Sequence, residues 1–100
     1  MAVIMYVDFP HKGKWGDALA QEMTQLIESI VEEPGFIWKF WTENKDTQEA
    51  GGVYMFETKE AAENYLNMHT ERLKSFGYTN IRSRIFNINQ KLSKMGKAPL

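Results

Sequence analysis

His69 is the side chain whose type and position best suit it for proton-transfer chemistry in this sequence. It lies on the apolar stripe of a predicted helix, one turn from Tyr65 and close in space to Arg72 and Leu73. Because histidine titrates near neutral pH, His69 could act as a general base or a proton shuttle, and desolvation would favour its neutral form. The alternative is a structural histidine bonded to a backbone carbonyl or to a tyrosine, and its position leaves both interpretations open.

Aromatic side chains form a second group that could do chemistry, and most of them fall in two predicted strands. They are Phe36, Trp38, Phe40, Trp41, Tyr54 and Tyr65. Their rings could line a hydrophobic pocket for a flat, polycyclic ligand, or they could fill the core and a dimer interface. Trp38 and Trp41 differ in strand parity, so the sequence leaves open which of them faces a pocket.

Polar side chains within or next to the predicted strands form a third group: Asp8, Lys39, Glu43, Glu49, Arg82 and Arg84. Such residues are usually solvated or paired at the rim of a sheet. Asp8 and Lys39 have apolar neighbours on the same strand faces, which predicts partial burial. Gly51 and Gly52 lack the lysine and the strand-to-helix context of a phosphate loop, so they predict a close backbone approach or a bulge.

The composition argues against several classes of function. A formal charge of −1 disfavours nucleic-acid or anionic-membrane partners. The absence of cysteine excludes disulfides and thiolate metal sites. His11 and His69 are far apart and cannot alone form a metal site, and no Walker loop, dinucleotide fingerprint or nucleophile elbow occurs. No apolar run approaches the ~18 residues of a membrane span, and the N-terminus lacks signal-peptide features, so we expect a cytoplasmic protein.

The hydrophobic pattern predicts the elements that would position these side chains. Strands are predicted over 2–9, 36–43, 51–56 and 78–88, and helices over 15–33 and 59–76. Thr58 is the predicted N-cap of the second helix and Gly77 its C′ residue. This order predicts an α+β, ferredoxin-like βαββαβ domain over 1–88 with an antiparallel four-stranded sheet. The C-terminal tail, 89–100, is predicted to be a short helix or disordered.

The predicted strands are apolar on both faces, and this pattern predicts a homodimer. Two helices cover only one face of the sheet, so the other face keeps either Phe36, Trp38 and Phe40 or Ile37 and Trp41. A patch of that size exceeds the few hundred Å² that soluble monomers usually expose. Covering a further ~600 Å² per subunit corresponds to roughly 15 kcal/mol before association costs, and a second copy is the commonest cover.

Three segments resemble, in order, the YdhR-type monooxygenase family: EPGFIWKFWTE at 33–43, EAGGVYMF at 49–56 and AENYLNMHTERL at 62–73. The start of the first helix, 16–18, also fits, and the resemblance spans about residues 1–87. It implies a dimeric α+β barrel in which two ferredoxin-like sheets pack face to face. It also implies a pocket between the sheet and the helices of each subunit.

The activity implied by the resemblance is oxidation of an aromatic or phenolic small molecule without metal or flavin. His69 would convert a phenol to a phenolate that passes an electron to molecular oxygen. Arg72 or Lys39 would stabilise the anion and the developing peroxide. The residues that would stack on the substrate and exclude water are Trp38, Trp41, Tyr54 and Tyr65.

Two alternatives accompany this hypothesis. Haem-degrading relatives use a histidine on the corresponding helix as iron ligand, which would be His69, but Asp8 matches their strand-borne asparagine only imperfectly. The other alternative is a dimer that binds a hydrophobic ligand without turnover.

Overall fold

The computed structural model describes residues 1–100 and confirms the predicted order of elements. The strands are β1 (Val3–Pro10), β2 (Phe36–Asn44), β3 (Glu49–Phe56) and β4 (Arg82–Asn87). The helices are α1 (Gly16–Ile30), α2 (Lys59–Ser75) and α3 (Gln90–Met95). Every strand pair is antiparallel and the sheet order is β2-β3-β1-β4, which is the ferredoxin-like arrangement followed by a short third helix.

Alternate residues of β1 and β3 form the floor of the core. The residues that face the helices are Val3, Met5, Val7 and Phe9 on β1 and Ala50, Gly52, Tyr54 and Phe56 on β3. The helices bury four side chains in the same cluster: Ile30, Ala62, Tyr65 and Leu73. The apolar stripe of α2 and the alternation of the strands therefore meet in one core, as their periodicities predict.

A β-bulge at the start of β2 corrects the predicted alternation of that strand. Phe36 lies opposite Phe56, whereas Trp38 lies opposite Met55, so one extra residue, Ile37, is inserted between them. Phe36 therefore packs on the core side, its ring centre 6.0 Å from that of Phe56. The expectation that Phe36 shares a face with Trp38 was wrong, because the bulge changes the parity of the strand.

The helix ends follow local chemistry. The Thr58 side chain accepts a hydrogen bond from the backbone N–H of Ala61 at 3.0 Å, and Gly77 has φ +96°, as the predicted cap and C′ residues require. Helix α1 begins at Gly16, whose N–H donates to the Glu43 carboxylate at 3.0 Å. It ends at Ile30, earlier than the predicted 33, because the chain turns before Pro34.

Gly51 allows β1 and β3 to approach each other closely. A Cβ at this position would lie 1.9 Å from the carbonyl oxygen of Val7, which is far inside van der Waals contact. The close backbone approach predicted for the glycine pair is confirmed.

The sheet face opposite the long helices is only partly covered, and we call it the open face. Tyr6, Phe40 and Phe86 lie on it with exposed fractions of 48%, 59% and 40%. The C-terminal segment crosses one end of it, where the Trp38 indole N–H donates to the carbonyl oxygen of Pro99 at 3.1 Å. No helix has the length and apolar character needed to cross a bilayer.

Candidate active site

A cavity lies between the sheet and the long helices, with a free volume of only about 20 Å³ for a water-sized sphere. Its apolar lining includes Val7, Phe9, Leu19, Met23, Leu26 and Leu73. Its ring-bearing and charged lining residues are His11, Lys39, Trp41, Tyr54, His69 and Tyr78. Inside the mouth there is room for little more than a water molecule, so an aromatic ligand requires lining side chains to move.

Lys39 projects from β2 into this cavity. Its Nζ lies 3.4 Å from the centre of the Trp41 ring and 4.6 Å from that of Tyr54. The ring faces attract an ammonium group, but no carboxylate pairs with it. Burial, together with the positive charge of Arg72, lowers the pKa of Lys39 to about 7. A substantial fraction of this amine is therefore neutral at physiological pH.

His69 is held by Arg72 in one tautomer. The Nε of Arg72 lies 3.3 Å from Nδ1 of His69, and Nη2 lies 3.0 Å from it. Because a guanidinium can only donate, Nδ1 is the acceptor, and the neutral ring carries its proton on Nε2. Burial, with the charges of Lys39 and Arg72, lowers the pKa of His69 to about 3, so the ring is neutral at physiological pH.

The remaining nitrogen of His69, Nε2, has no hydrogen-bond partner in the protein. Every fully buried side-chain nitrogen and oxygen does have a partner, so Nε2 reaches accessible space, and His69 lines the cavity. The group that His69 offers to a ligand is therefore an N–H donor rather than a basic lone pair. A general base at His69 would need the lone pair of Nδ1, which Arg72 occupies.

Tyr54 and Tyr65 form a hydrogen-bonded pair beside His69. Their hydroxyl oxygens are 3.1 Å apart, and the Tyr65 ring stacks on His69 with centres 4.9 Å apart. Burial raises the pKa of Tyr54 and raises that of Tyr65 to about 12. Both tyrosines are protonated at physiological pH, so they supply hydroxyl groups and ring surface rather than a base.

Sequence reasoning missed a second buried histidine at the cavity. His11 is 4% exposed, and its Nε2 donates to the carbonyl oxygen of Lys14 at 2.7 Å. Its Nδ1 accepts from the Tyr78 hydroxyl at 3.0 Å, so both ring nitrogens are satisfied. Burial, with the charge of Glu22, raises the pKa of Tyr78. The pairing joins residues 67 positions apart, and no local pattern indicates it.

The structure brings most of the predicted site residues together. Lys39, Trp41, Tyr54 and His69 line the cavity, while Tyr65 and Arg72 support them through Tyr54 and His69. Trp38 lies on the open face, so of the two tryptophans it is Trp41 that faces the cavity.

Asp8 also lies away from the cavity. It faces the open side of the sheet, where Arg82 donates to it at 2.6 Å and also pairs with Glu49. The predicted partial burial of Asp8 is confirmed, and its carboxylate is paired with Arg82 rather than facing the cavity.

The cavity does not fit haem. Its interior is far too small for a porphyrin, and the lone pair of His69 that would bind iron is on Nδ1, where Arg72 holds it. The chain also contains no group of three or more His, Asp or Glu side chains placed to bind a metal ion.

The fold and the cavity define a ferredoxin-like α+β protein with a pocket between its helices and its sheet. The chain matches over residues 4–99 the model of the family described as "Putative mono-oxygenase ydhR". It therefore belongs to that family, which confirms the resemblance found in its sequence motifs.

A solved structure shares the fold. It is the crystal structure of a putative antibiotic biosynthesis monooxygenase from Deinococcus radiodurans, with a TM-score of 0.63 over 87% of this chain and 92% of that chain. The sequence identity is 13%, so this likeness shows the fold alone. Among curated proteins no relative matches the chain.

Proposed function

We propose that this protein is a monooxygenase that oxidises an aromatic or phenolic small molecule in the cavity, without metal or flavin. Membership of the monooxygenase family supports the class of reaction. The observation that carries the proposal is the Lys39 amine, enclosed between Trp41 and Tyr54 in a cavity that His69 also lines. These groups offer a base, ring surfaces and a hydrogen-bond donor in one place.

Lys39 is the proposed base. In its neutral form the amine accepts the proton of a phenol, which leaves a phenolate rich enough in electrons to react with molecular oxygen. The His69 Nε2–H donates to the anion or to the developing peroxide, and Arg72 supplies positive charge behind the imidazole. The substrate provides the electrons, one oxygen atom stays in the product and the other leaves as water.

The binding surfaces in this proposal are Trp41, Tyr54 and Tyr65. A substrate ring stacks on Trp41 in the space that the Lys39 side chain now fills, and Lys39 and Met23 move because their chains are long and unbranched. Removing water from this cavity strengthens every charge interaction within it.

A homodimer is also part of the proposal. A second copy covers the open face, where Tyr6, Phe40 and Phe86 are exposed, and the two sheets close a barrel. Each subunit keeps its own cavity on the other side of its sheet.

Oxygen uptake with a quinol substrate tests the function. We expect Lys39→Met to lower kcat by about 100-fold or more, because it removes the base while keeping the length of the side chain. The matched control is Lys45→Met, since Lys45 is exposed on the loop between β2 and β3. Unchanged oxygen uptake in a folded Lys39→Met variant contradicts the assignment. Quinol binding without any oxygen uptake by the unaltered protein indicates the ligand-binding alternative instead.

A further inference from the structure

Lys39 differs from every other lysine of the chain in its surroundings. All the others are exposed, and Lys74, for example, lies 3.7 Å from Glu71 on the surface of α2. The Lys39 Nζ has neither an ion pair nor a hydrogen bond, and it lies between two aromatic rings at a cavity. Lys39 is only partly buried, but its amine lies at ring faces with no carboxylate to offset the lost hydration of its charge, so packing alone does not account for it.

The groups that face this amine favour its neutral form. Helix α2 contributes His69 and Arg72, strand β3 contributes Tyr54, and His11 and Tyr78 complete the ionisable groups of the lining. Helix α1 contributes only apolar side chains to the cavity: Leu19, Met23 and Leu26. The lining therefore contains no carboxylate, and a desolvated lysine beside another cation is the arrangement that activates lysine as a nucleophile.

We propose that Lys39 captures small, planar carbonyl compounds, aromatic aldehydes in particular, as an imine within the cavity. The amine lone pair attacks the carbonyl carbon and forms the C–N bond. The carbonyl oxygen then leaves as water with the two hydrogens of the amine, so no oxidant or reductant is needed. This capture uses the cavity of the proposed monooxygenase but requires no oxygen.

The lining selects the chemical class of the ligand. The ring of an aryl aldehyde bound to the amine lies against Trp41 and Tyr54, whose ring faces the Lys39 Nζ now contacts. The His69 Nε2–H is the donor available to polarise the carbonyl oxygen and to assist its departure. The apolar remainder of the cavity favours an uncharged compound.

Reductive trapping tests the inference on the unaltered protein. Benzaldehyde and sodium cyanoborohydride are added without oxygen, and the N-benzyl lysines formed by hydride transfer to the imine are located by peptide mass spectrometry. We expect Lys39 to be labelled about tenfold faster than Lys45 or more, because a larger fraction of it is neutral. The ratio of Lys39 to Lys45 labelling, in which the pH dependence of the hydride donor cancels, is constant below about pH 7 and falls above it, because Lys39 is then already neutral while Lys45 is still losing its proton.

The same labelling in a urea-unfolded sample is the control for intrinsic reactivity, and the preference for Lys39 must disappear there. Labelling that is spread evenly over the exposed lysines of the folded protein overturns the inference, and so does a preference that survives unfolding. The outcome is independent of the oxidation. A protein that is labelled at Lys39 but consumes no oxygen supports this inference and contradicts the proposed function. A protein that consumes oxygen with a quinol but shows no preferential labelling of Lys39 supports the proposed function and overturns this inference.

Discussion

At the scale of single residues, the protonation of two neighbouring side chains decides what the cavity can do. Arg72 donates to Nδ1 of His69 and so leaves an N–H facing the cavity, while Lys39 has a pKa of about 7. The sequence indicated His69 by its place on the stripe of α2 and Lys39 by its apolar strand neighbours. It could not show which nitrogen of His69 is free, because that depends on the rotamer of Arg72.

The role of His69 as donor predicts different activities for two substitutions. His69→Gln retains an amide N–H, so we expect oxygen uptake within about tenfold of the unaltered protein, whereas His69→Leu loses about 100-fold or more. Steady-state oxygen consumption measures both, with circular dichroism to confirm folding. Equal losses in the two variants would contradict the donor role of His69.

The partly buried amine of Lys39 also predicts a pH dependence of stability. Its pKa is about 7 in the folded protein and ~10.4 in an unfolded chain, so the unfolded state binds more protons between these values. The free energy of unfolding therefore rises with pH over this interval. Below pH 7 the amine is protonated in both states, so the stability gained from its neutral form is absent. We expect Lys39→Met to be more stable than the unaltered protein by roughly 1–3 kcal/mol near pH 7, with the difference shrinking towards pH 10.

Urea unfolding at several pH values measures this difference, and Lys45→Met is the control that leaves the profile unchanged. A Lys39→Met variant whose stability advantage does not depend on pH would show that the amine titrates normally in the folded protein.

At the scale of elements, the order of strands and helices and the caps of α2 could be predicted because they depend on local patterns. The faces of β2 could not be predicted throughout, since the bulge at Ile37 is set by the pairing with Phe56 and Met55. The last strand is shorter than predicted, Arg82–Asn87 rather than 78–88, because Tyr78 turns inwards to His11. The short helix α3 was one of the two outcomes expected for the tail.

The contact between β1 and β3 predicts a large effect of a single methyl group. Gly51→Ala places a Cβ against the carbonyl oxygen of Val7 and forces the strands apart, so we expect a loss of about 2 kcal/mol or more. Gly96→Ala is the matched control: its Cβ meets its nearest atoms at 3.5 Å, and we expect a change within about 0.5 kcal/mol. Urea denaturation measures both variants. Equal stability of the two would contradict the close approach of the strands.

At the scale of the whole molecule, the two faces of the sheet have different proposed roles. The helix side holds the cavity, and the open face is the proposed interface with a second copy. The composition of the strands indicated that both faces are apolar, but not that residues 98–100 would lie across part of the open face. That contact depends on the Trp38–Pro99 hydrogen bond, which joins residues 61 positions apart.

A charged side chain introduced on the open face tests whether that face is the dimer interface. Phe40 is 59% exposed there, so Phe40→Lys places an ammonium in the proposed interface, while Phe76→Lys alters a residue that is 54% exposed at the end of α2. We expect Phe40→Lys to be monomeric and Phe76→Lys to remain a dimer, because only the first would bury a charge without a partner.

Sedimentation velocity at micromolar concentration tests the assignment of the two faces most directly. We expect the unaltered protein and Phe76→Lys to sediment with twice the chain mass of 11.6 kDa, and Phe40→Lys to sediment as a single chain. A single-chain species for the unaltered protein, or a dimer that Phe40→Lys leaves intact, would contradict the assignment.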